Sequence, residues 1–186
     1  YEMSPHYHAL CISSYGIPAY QARRMGEPMA DCSYEILKRM GEATDAMQCP
    51  DGNDPPIGDS DRTPSSYALS IIKLLHPDFT TRRPCPPTYL SVWVGGGKTW
   101  DSRTSAVKAR TSLFASGGFA CAATEAGSDA SFAILRNGAN SEWHAHYDNL
   151  SLYWEAFGMP ALTDPGRYLY VDDFDRIWVR HAESHN

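Results

Sequence analysis

The chain has 186 residues, of which 42% are hydrophobic and 12% aromatic, and this composition is typical of a folded globular protein. The formal net charge of -6 excludes an electrostatic basis for nucleic-acid binding, because the clustered Lys and Arg of a phosphate-binding face are missing. No apolar run approaches the roughly 20 residues of a membrane span and no signal-peptide pattern opens the chain, so we expect a soluble protein with no nucleic-acid or membrane partner.

The cysteines and the chain ends carry two further expectations. The 5 cysteines are scattered without a C-x-x-C pair, which predicts buried free thiols rather than a zinc ribbon or a disulfide scaffold. The chain starts without Met and its last residues, "RHAESHN", carry no closing strand or helix signal. We therefore expect a piece of a longer protein.

Helix signals dominate the first part of the chain. Ser4 can cap a helix that Pro5 begins and that Gly16 and Pro18 end, which predicts a short helix near residues 5–15. A second helical segment is predicted within residues 19–47, where apolar residues recur three or four apart in one stripe, namely Tyr34, Leu37, Met40, Ala43 and Met47.

A third helix is the clearest in the sequence. Thr63 caps it, Pro64 takes its first position and Pro77 ends it. Its buried stripe recurs at i, i+3, i+4 and i+7, at Ala68, Ile71, Ile72 and Leu75. Ahead of it, "CPDGNDPPIGDSDRTP" is predicted to be a solvated surface loop whose aspartates cap turns, since the EF-hand calcium pattern is missing.

Short stretches rich in β-branched and aromatic residues follow, bounded by Gly, Asn or Pro. Five are predicted strands: "TYLSVWV", "GGFACAAT", "SFAILRNG", "LSLYWEAFG" and "RYLYVDDF". The segment "VWVGGGKTW" is not a phosphate-binding loop, because the required first Gly is Val92. Helices followed by strands predict an α+β chain with a helical domain at 1–110 and an antiparallel β domain at 111–186.

The stretch "NSEWHAHYDN" at 140–149 holds the most reactive side chains. On a strand, His144 and His146 would point to the same face, and Asp164 and His185 supply further donors of the kind that zinc accepts. From the residues alone, a structural role for the histidines remains open.

Four stretches together resemble the heparinase II/III-like polysaccharide lyases. They are "EMSPHYH" at 2–8, "PDGNDPPIGDSD" at 50–61, "WHAHYDNLSLYWEAFGMPALTDPGRYLY" at 143–170 and "RHAESHN" at 180–186. The resemblance implies the C-terminal portion of an (α/α) toroid over 1–110 and the N-terminal portion of an antiparallel β-sandwich over 111–186. It also implies a periplasmic or secreted location.

The resemblance assigns site residues as well. His146, Asp164 and His185 are expected to bind a structural zinc ion, while His144 and Tyr7 are the expected catalytic residues. A bulge or loop would let His144 and His146 face different partners.

The predicted position of Tyr7 in a helix independently suits a catalytic base. It falls in the first turn of a predicted helix, where the helix dipole favours a phenolate. The alternative is that Tyr7 packs in an apolar stripe with Leu10 and Cys11.

Asp148 is expected either to orient a histidine ring or to accept a turn hydrogen bond.

The implied reaction is β-elimination at a uronic acid of an acidic polysaccharide or oligosaccharide. It consumes no water, so the zinc ion has no evident Lewis-acid task and is expected to hold the loop of His144 in place. Four residues are expected to contact sugar, since arginine pairs with carboxylates and aromatic rings stack on pyranoses: Arg136, Tyr170, Trp178 and Arg180. The residue that neutralises the uronate carboxylate is expected upstream of Tyr1.

Two other classes of function are compatible with parts of the pattern. A cupin-like metal-dependent oxygenase also presents a His-x-His pair, but the helical first half and "SPHYH" have no place in it. A non-catalytic carbohydrate-binding metalloprotein is the other alternative, and replacement of Tyr7 separates it from a lyase because binding alone would survive.

Overall fold

The structure, a computed structural model, describes residues 3–100, 104, 109–124, 129–139, 144–170 and 173–185. Its contacts divide the chain into two compact units. The sheet unit comprises Tyr1–Tyr7, Met47–Thr63 and Lys108–Asn186, and the helical unit comprises His8–Ala46 and Pro64–Val107. Among the described residues, no helix is both long and apolar enough to cross a membrane.

In the described part of the chain, four helices precede the strands: α1 Pro5–Met25, α2 Asp31–Met47, α3 Ser66–Leu75 and α4 Tyr89–Val94. Within the helical unit, α3 supplies much of the core, and the predicted stripe of Ala68, Ile71, Ile72 and Leu75 is at most 1% exposed. The helix begins two residues later than predicted, because Ser65 rather than Thr63 occupies its N-cap position.

The predicted end of α1 near residue 15 is wrong, since the helix continues through Gly16 and Pro18 to Met25. Gly16 is a packing position rather than a stop. A Cβ added there would lie 2.8 Å from the Ile71 side chain, so only glycine lets α1 approach α3 this closely. Tertiary packing therefore overrides the local helix-breaking signals.

The predicted strand "TYLSVWV" is also wrong, because these residues form α4. Thr88 caps the helix: its side chain accepts a hydrogen bond from the Ser91 backbone N–H, and the Ser91 side chain accepts one from the Thr88 N–H. This reciprocal capping box satisfies donors that a helix start otherwise leaves unpaired, and it outweighs the β propensity of the Val and Trp residues.

Within the residues that the structure describes, five strands form one antiparallel sheet in the order β1-β2-β3-β4-β5. Their bounds are β1 Arg110–Phe114, β2 Phe119–Ala123, β3 Phe132–Arg136, β4 Leu152–Ala156 and β5 Met159–Leu162. Cys121, Ile134 and Tyr153 pair across β2, β3 and β4, and all three are buried on one face. Three of the predicted strands are confirmed as β2, β3 and β4.

The predicted strand "RYLYVDDF" is wrong among its described residues, which form turns and the start of helix α5, Phe174–Arg180. The Asp173 side chain caps this helix by accepting the Arg176 N–H at 2.8 Å. Short 3-10 helices lie at Ala115–Gly117 and Ala182–Ser184. Helices and an antiparallel sheet are thus confirmed, whereas the toroid, the sandwich and the boundary at residue 110 stay predictions.

Candidate active site and metal centre

The functional side chains of the sheet unit come from segments far apart in sequence. Tyr7 lies in the first turn of α1, and Asp59 lies in the segment between α2 and α3. His144 and His146 lie between β3 and β4, while Tyr170 lies between β5 and α5. Arg62 helps to hold the segment of Asp59 on the sheet, because its Nη1 lies 2.7 Å from Oε1 of the buried Glu155 on β4.

His144 and His146 do not lie on a strand, so the expectation that they share a face is wrong. His144 has a φ of 50°, a left-handed conformation that non-glycine residues rarely adopt, and it turns the chain between the two rings. The loop alternative is therefore the observed one. His144 faces two tyrosines, and the fully buried His146 faces Asp164 and His185.

Tyr7, His144 and Tyr170 form a compact aromatic cluster. The Tyr7 and His144 rings stack with centroids 3.5 Å apart and planes 14° from parallel. The Tyr170 hydroxyl lies 2.5 Å from the Tyr7 hydroxyl and 3.2 Å from His144 Nδ1. Since Tyr170 is 52% exposed, a ligand in solvent can reach the cluster.

The Tyr7 position agrees with the predicted helix start. Its backbone N–H lies 3.5 Å from the Ser4 hydroxyl, which accepts at the N-terminal end of α1. Leu10 is 38% exposed, so the alternative of a buried stripe through Tyr7 and Leu10 is not supported. For Tyr170, burial and the hydrogen bond with Tyr7 raise the pKa of the phenol above its ordinary value, which keeps this hydroxyl protonated.

His146, Asp164 and His185 form a group whose ligand atoms all lie within 4.8 Å of one another. His185 Nδ1 lies 2.6 Å from Asp164 Oδ2, and the Asp164 carboxylate also accepts the Ser151 hydroxyl at 3.1 Å. The His185 side chain is 3% exposed and the other two are fully buried at their side chains. Burial lowers the pKa of His185, but the bond with Asp164 outweighs it and the net direction is upward.

The donor set fits a divalent metal. Within the described residues, His146 Nδ1 and His185 Nε2 are buried and have no hydrogen-bond partner. Unpaired buried nitrogens are costly, and a metal ion would satisfy them. Two imidazoles and one carboxylate form a donor set that zinc accepts.

Asp59 is a side chain of the candidate site that sequence reasoning missed. It was predicted to lie in a solvated loop, but it is 2% exposed and its Oδ2 and Oδ1 lie 3.1 Å from His144 Nδ1 and 2.8 Å from His146 Nε2. Burial alone would raise the pKa of this carboxyl, yet the bonds with His146, Arg176 and His144 hold it well below its usual range. Its place in the matching stretch 50–61 was the only signal.

Arg176 was also missed, because helix α5 was not predicted. Its Nη2 lies 2.7 Å from Asp59 Oδ1, and its Nη1 donates to the Arg167 carbonyl at 2.6 Å. The guanidinium carbons of Arg167 and Arg176 lie 5.1 and 5.2 Å from the Tyr170 ring centroid. Two positive charges thus flank the aromatic cluster.

The predicted sugar contacts separate into different positions. Arg136 is 0% exposed and its Nε lies 3.1 Å from Asp148 Oδ1, so this placement does not support a sugar contact. Asp148 correspondingly pairs with Arg136, which gives it a structural role. Arg180 Nη2 donates to the Ala145 carbonyl at 3.3 Å and supports the histidine loop, whereas Trp178 is 48% exposed on α5 and stays a predicted contact.

The chain is similar in sequence and in fold to known proteins. Residues 106–186 match the family model described as "Heparinase II/III-like, C-terminal". All of this chain superposes on part of a heparinase III with 20% identity and a TM-score of 0.76, and on part of the heparan sulfate lyase HepC from Pedobacter heparinus with 22% identity and a TM-score of 0.75. Another heparinase III structure matches with 21% identity and a TM-score of 0.74.

The likeness to the solved structures establishes the fold. The chain covers 29%, 29% and 31% of the three solved chains, less than a third of each. No curated protein sequence matches the chain. The family model and the shared fold agree with the heparinase II/III-like resemblance and not with the cupin-like alternative. Residues 106–186 are therefore similar to the heparinase II/III-like C-terminal family, in agreement with the resemblance that the sequence motifs predicted.

Proposed function

We propose that this chain is part of a polysaccharide lyase that cleaves uronic-acid-containing glycans, of the glycosaminoglycan or alginate type, by β-elimination. The observation that carries the proposal is the cluster in which Tyr7 stacks on His144 and lies within hydrogen-bond distance of Tyr170. Two groups able to move protons thus lie side by side at a solvent-accessible surface.

Tyr7 is the proposed base. Its phenolate removes the proton at C5 of the uronate, and the electrons of that C–H bond form the C4–C5 double bond as the C4–O4 bond breaks. The protonated Tyr7 then returns a proton to the leaving O4, so Tyr7 acts as base and acid in turn. The Tyr170 hydroxyl, 2.5 Å from the Tyr7 oxygen, can donate to the phenolate and stabilise it.

His144 is the proposed second catalytic group. It stabilises the charge that develops on the uronate, or it takes the C5 proton when the C5 epimer presents that proton to the imidazole rather than to the phenol. The substrate epimer decides between these roles.

Zinc is the proposed occupant of the His146, Asp164 and His185 group, where it would supply structural cross-linking rather than activated water. The ligands connect the histidine loop with the segments that follow β5 and α5. We further propose the toroid and sandwich architecture for the parent protein, and a periplasmic or secreted location, where polymeric glycans of this class are encountered.

The proposal is tested by incubating the full-length protein with a panel of uronate polysaccharides that includes heparan sulfate and alginate. Elimination creates an unsaturated sugar end that absorbs in the ultraviolet, and we expect this product on at least one glycan. Tyr7→Phe and His144→Ala should each lower its rate of formation by about 100-fold or more, since general acid-base groups contribute roughly that much.

Matched controls separate chemistry from folding. Tyr15→Phe alters a 64% exposed tyrosine on the same helix, and His181→Ala alters an exposed histidine beyond the cluster, so both should retain the wild-type rate. Glycan binding that survives in the Tyr7→Phe protein, with no unsaturated product from the wild type on any glycan, would instead support the carbohydrate-binding metalloprotein.

A further inference from the structure

Asp59 contacts both the aromatic cluster and the metal-binding group. One carboxylate oxygen lies 3.1 Å from His144 Nδ1 and the other lies 2.8 Å from His146 Nε2. At 2% exposure the carboxylate has little contact with water. The Asp59 carboxylate therefore links the two histidines through one planar group.

The contact fixes the tautomer of His146. An ionised carboxylate only accepts hydrogen bonds, so the Nε2 atom of His146 must carry the proton. The neutral ring then has its lone pair on Nδ1, and this is the buried nitrogen without a hydrogen-bond partner among the described residues. Asp59 thereby presents the metal-binding lone pair of His146 to the group that contains Asp164 and His185.

The same reasoning applies to His144. Its Nδ1 faces the other oxygen of Asp59 and must donate, which leaves the lone pair of the neutral ring on Nε2. A proton acceptor for the substrate is thus created at the ring atom directed away from the carboxylate. Because the two oxygens belong to one planar group, a rotation of the Asp59 carboxylate would disturb both rings together.

Asp59 is itself held firmly. Arg176 Nη2 lies 2.7 Å from Asp59 Oδ1 and 2.8 Å from Asp59 Oδ2. The backbone N–H of Asp59 donates to the His144 carbonyl at 2.9 Å. The preceding Gly58 has a φ of +58°, and an added Cβ would lie 2.8 Å from that same carbonyl. The backbone approach and the guanidinium therefore leave the carboxylate one orientation.

We propose that Asp59 is a positioning residue that couples the metal centre to the catalytic histidine, by fixing the tautomers of His146 and His144 through one carboxylate. The assignment of His144 as catalytic rests on the proposed lyase function, but the coupling through Asp59 can be measured without it. Arg176 keeps the coupling rigid.

The experiment compares wild-type full-length protein with Asp59→Asn, which keeps the shape but replaces one accepting oxygen by a donating NH2. One histidine must then lose its partner or change tautomer. We expect zinc affinity, measured by competition with a chromophoric chelator, to fall by about 10- to 100-fold. Ring nitrogen shifts of 15N-labelled His144 and His146 should show a changed tautomer, and kcat should fall more than KM rises.

Asp51→Asn is the matched control, because Asp51 precedes Asp59 on the same segment, is 42% exposed at its side chain and pairs with Arg62. It should leave zinc affinity and ring shifts unchanged. If Asp59→Asn does not fold, Arg176→Gln loosens the same carboxylate without removing it, and zinc affinity should fall by a smaller factor.

Wild-type zinc affinity together with unchanged ring tautomers in a folded Asp59→Asn protein would overturn the coupling. The same result in Arg176→Gln would overturn the role of Arg176. Failure of the wild type to cleave any uronate glycan would remove the lyase proposal instead, while zinc affinity and tautomers would still decide the role of Asp59.

Discussion

Tyr170 occupies the point where the two proposed catalytic side chains meet. Its hydroxyl contacts the Tyr7 oxygen at 2.5 Å and His144 Nδ1 at 3.2 Å, and burial together with the Tyr7 contact keeps the pKa of this phenol raised. Because His144 Nδ1 already faces the Asp59 carboxylate, we assign the Tyr170 proton to the Tyr7 oxygen. Tyr170 was predicted as a sugar contact because aromatic rings stack on pyranoses, and its closeness to Tyr7 adds a proposed role in stabilising the phenolate.

Tyr170→Phe tests this role. The ring and its packing remain, while the hydrogen bond to the phenolate is lost. Hydrogen bonds to charged groups contribute about 1.5–3 kcal/mol, so kcat should fall by about 10- to 100-fold with little change in KM. Steady-state kinetics on the identified glycan measure it, and Tyr168→Phe, an exposed neighbour, serves as the control. An equal kcat in wild type and Tyr170→Phe would remove Tyr170 from the mechanism.

Residue identities at this site were predictable only where a motif carried them. Residue chemistry marked His144, His146, Asp164 and His185 as candidate donors. The resemblance assigned their separate roles and that of Tyr7, and the structure brings the five residues into two adjacent groups. Asp59 was not predicted, because it meets the two histidines across sequence separations of 85 and 87 residues. Arg176 was not predicted, because it contacts Asp59 from an unpredicted helix. A single sequence does not report such contacts.

The segment between α2 and α3 is an element without regular structure that nevertheless fixes the site. It presents Asp59 to the histidines and is tied to β4 through Arg62 and Glu155. Its close approach to His144 depends on Gly58, where a Cβ would lie 2.8 Å from the His144 carbonyl and 3.1 Å from that of Met3. These two backbone carbonyls cannot move aside for a Cβ as the end of a flexible side chain could.

Gly58→Ala should therefore destabilise the protein by more than the cost of a positive φ alone, which is about 1–2 kcal/mol. Displacement of the His144 backbone should also lower kcat. Gly26→Ala is the matched control, since Gly26 has a φ of +80° but no atom of the described residues lies within 4 Å of the added Cβ. Denaturant unfolding of both variants isolates the steric contribution, and equal losses of stability would show that the close approach is unimportant.

The wrong predictions for helices α1 and α4 have a common origin. The sequence of α4 has strand-like residues but a capping box at Thr88 and Ser91, and α1 contains Gly16 and Pro18 but packs on α3. Local propensity was overridden by capping in one case and by packing in the other. Strands β2, β3 and β4 were predictable, because alternation and flanking turn residues agreed with their burial on one face.

At the scale of the molecule, the chain spans less than a third of the heparinase structures that share its fold. The metal-binding group and the aromatic cluster both lie in the sheet unit, and Asp59 connects them. The order of helices and then strands along the chain was predictable from composition and periodicity. Substrate choice and the uronate-neutralising group were not, since nothing in these residues specifies them.

The proposed lyase breaks a glycosidic bond by elimination, and the mass of its products tests this reaction most directly. The full-length protein is incubated with a defined uronate oligosaccharide of a glycan that it cleaves, and the two products are weighed by mass spectrometry. Elimination adds no water, so the product masses should sum to the mass of the substrate. Products whose masses sum to substrate plus one water would show hydrolysis and contradict the assignment of Tyr7 and His144 as elimination catalysts.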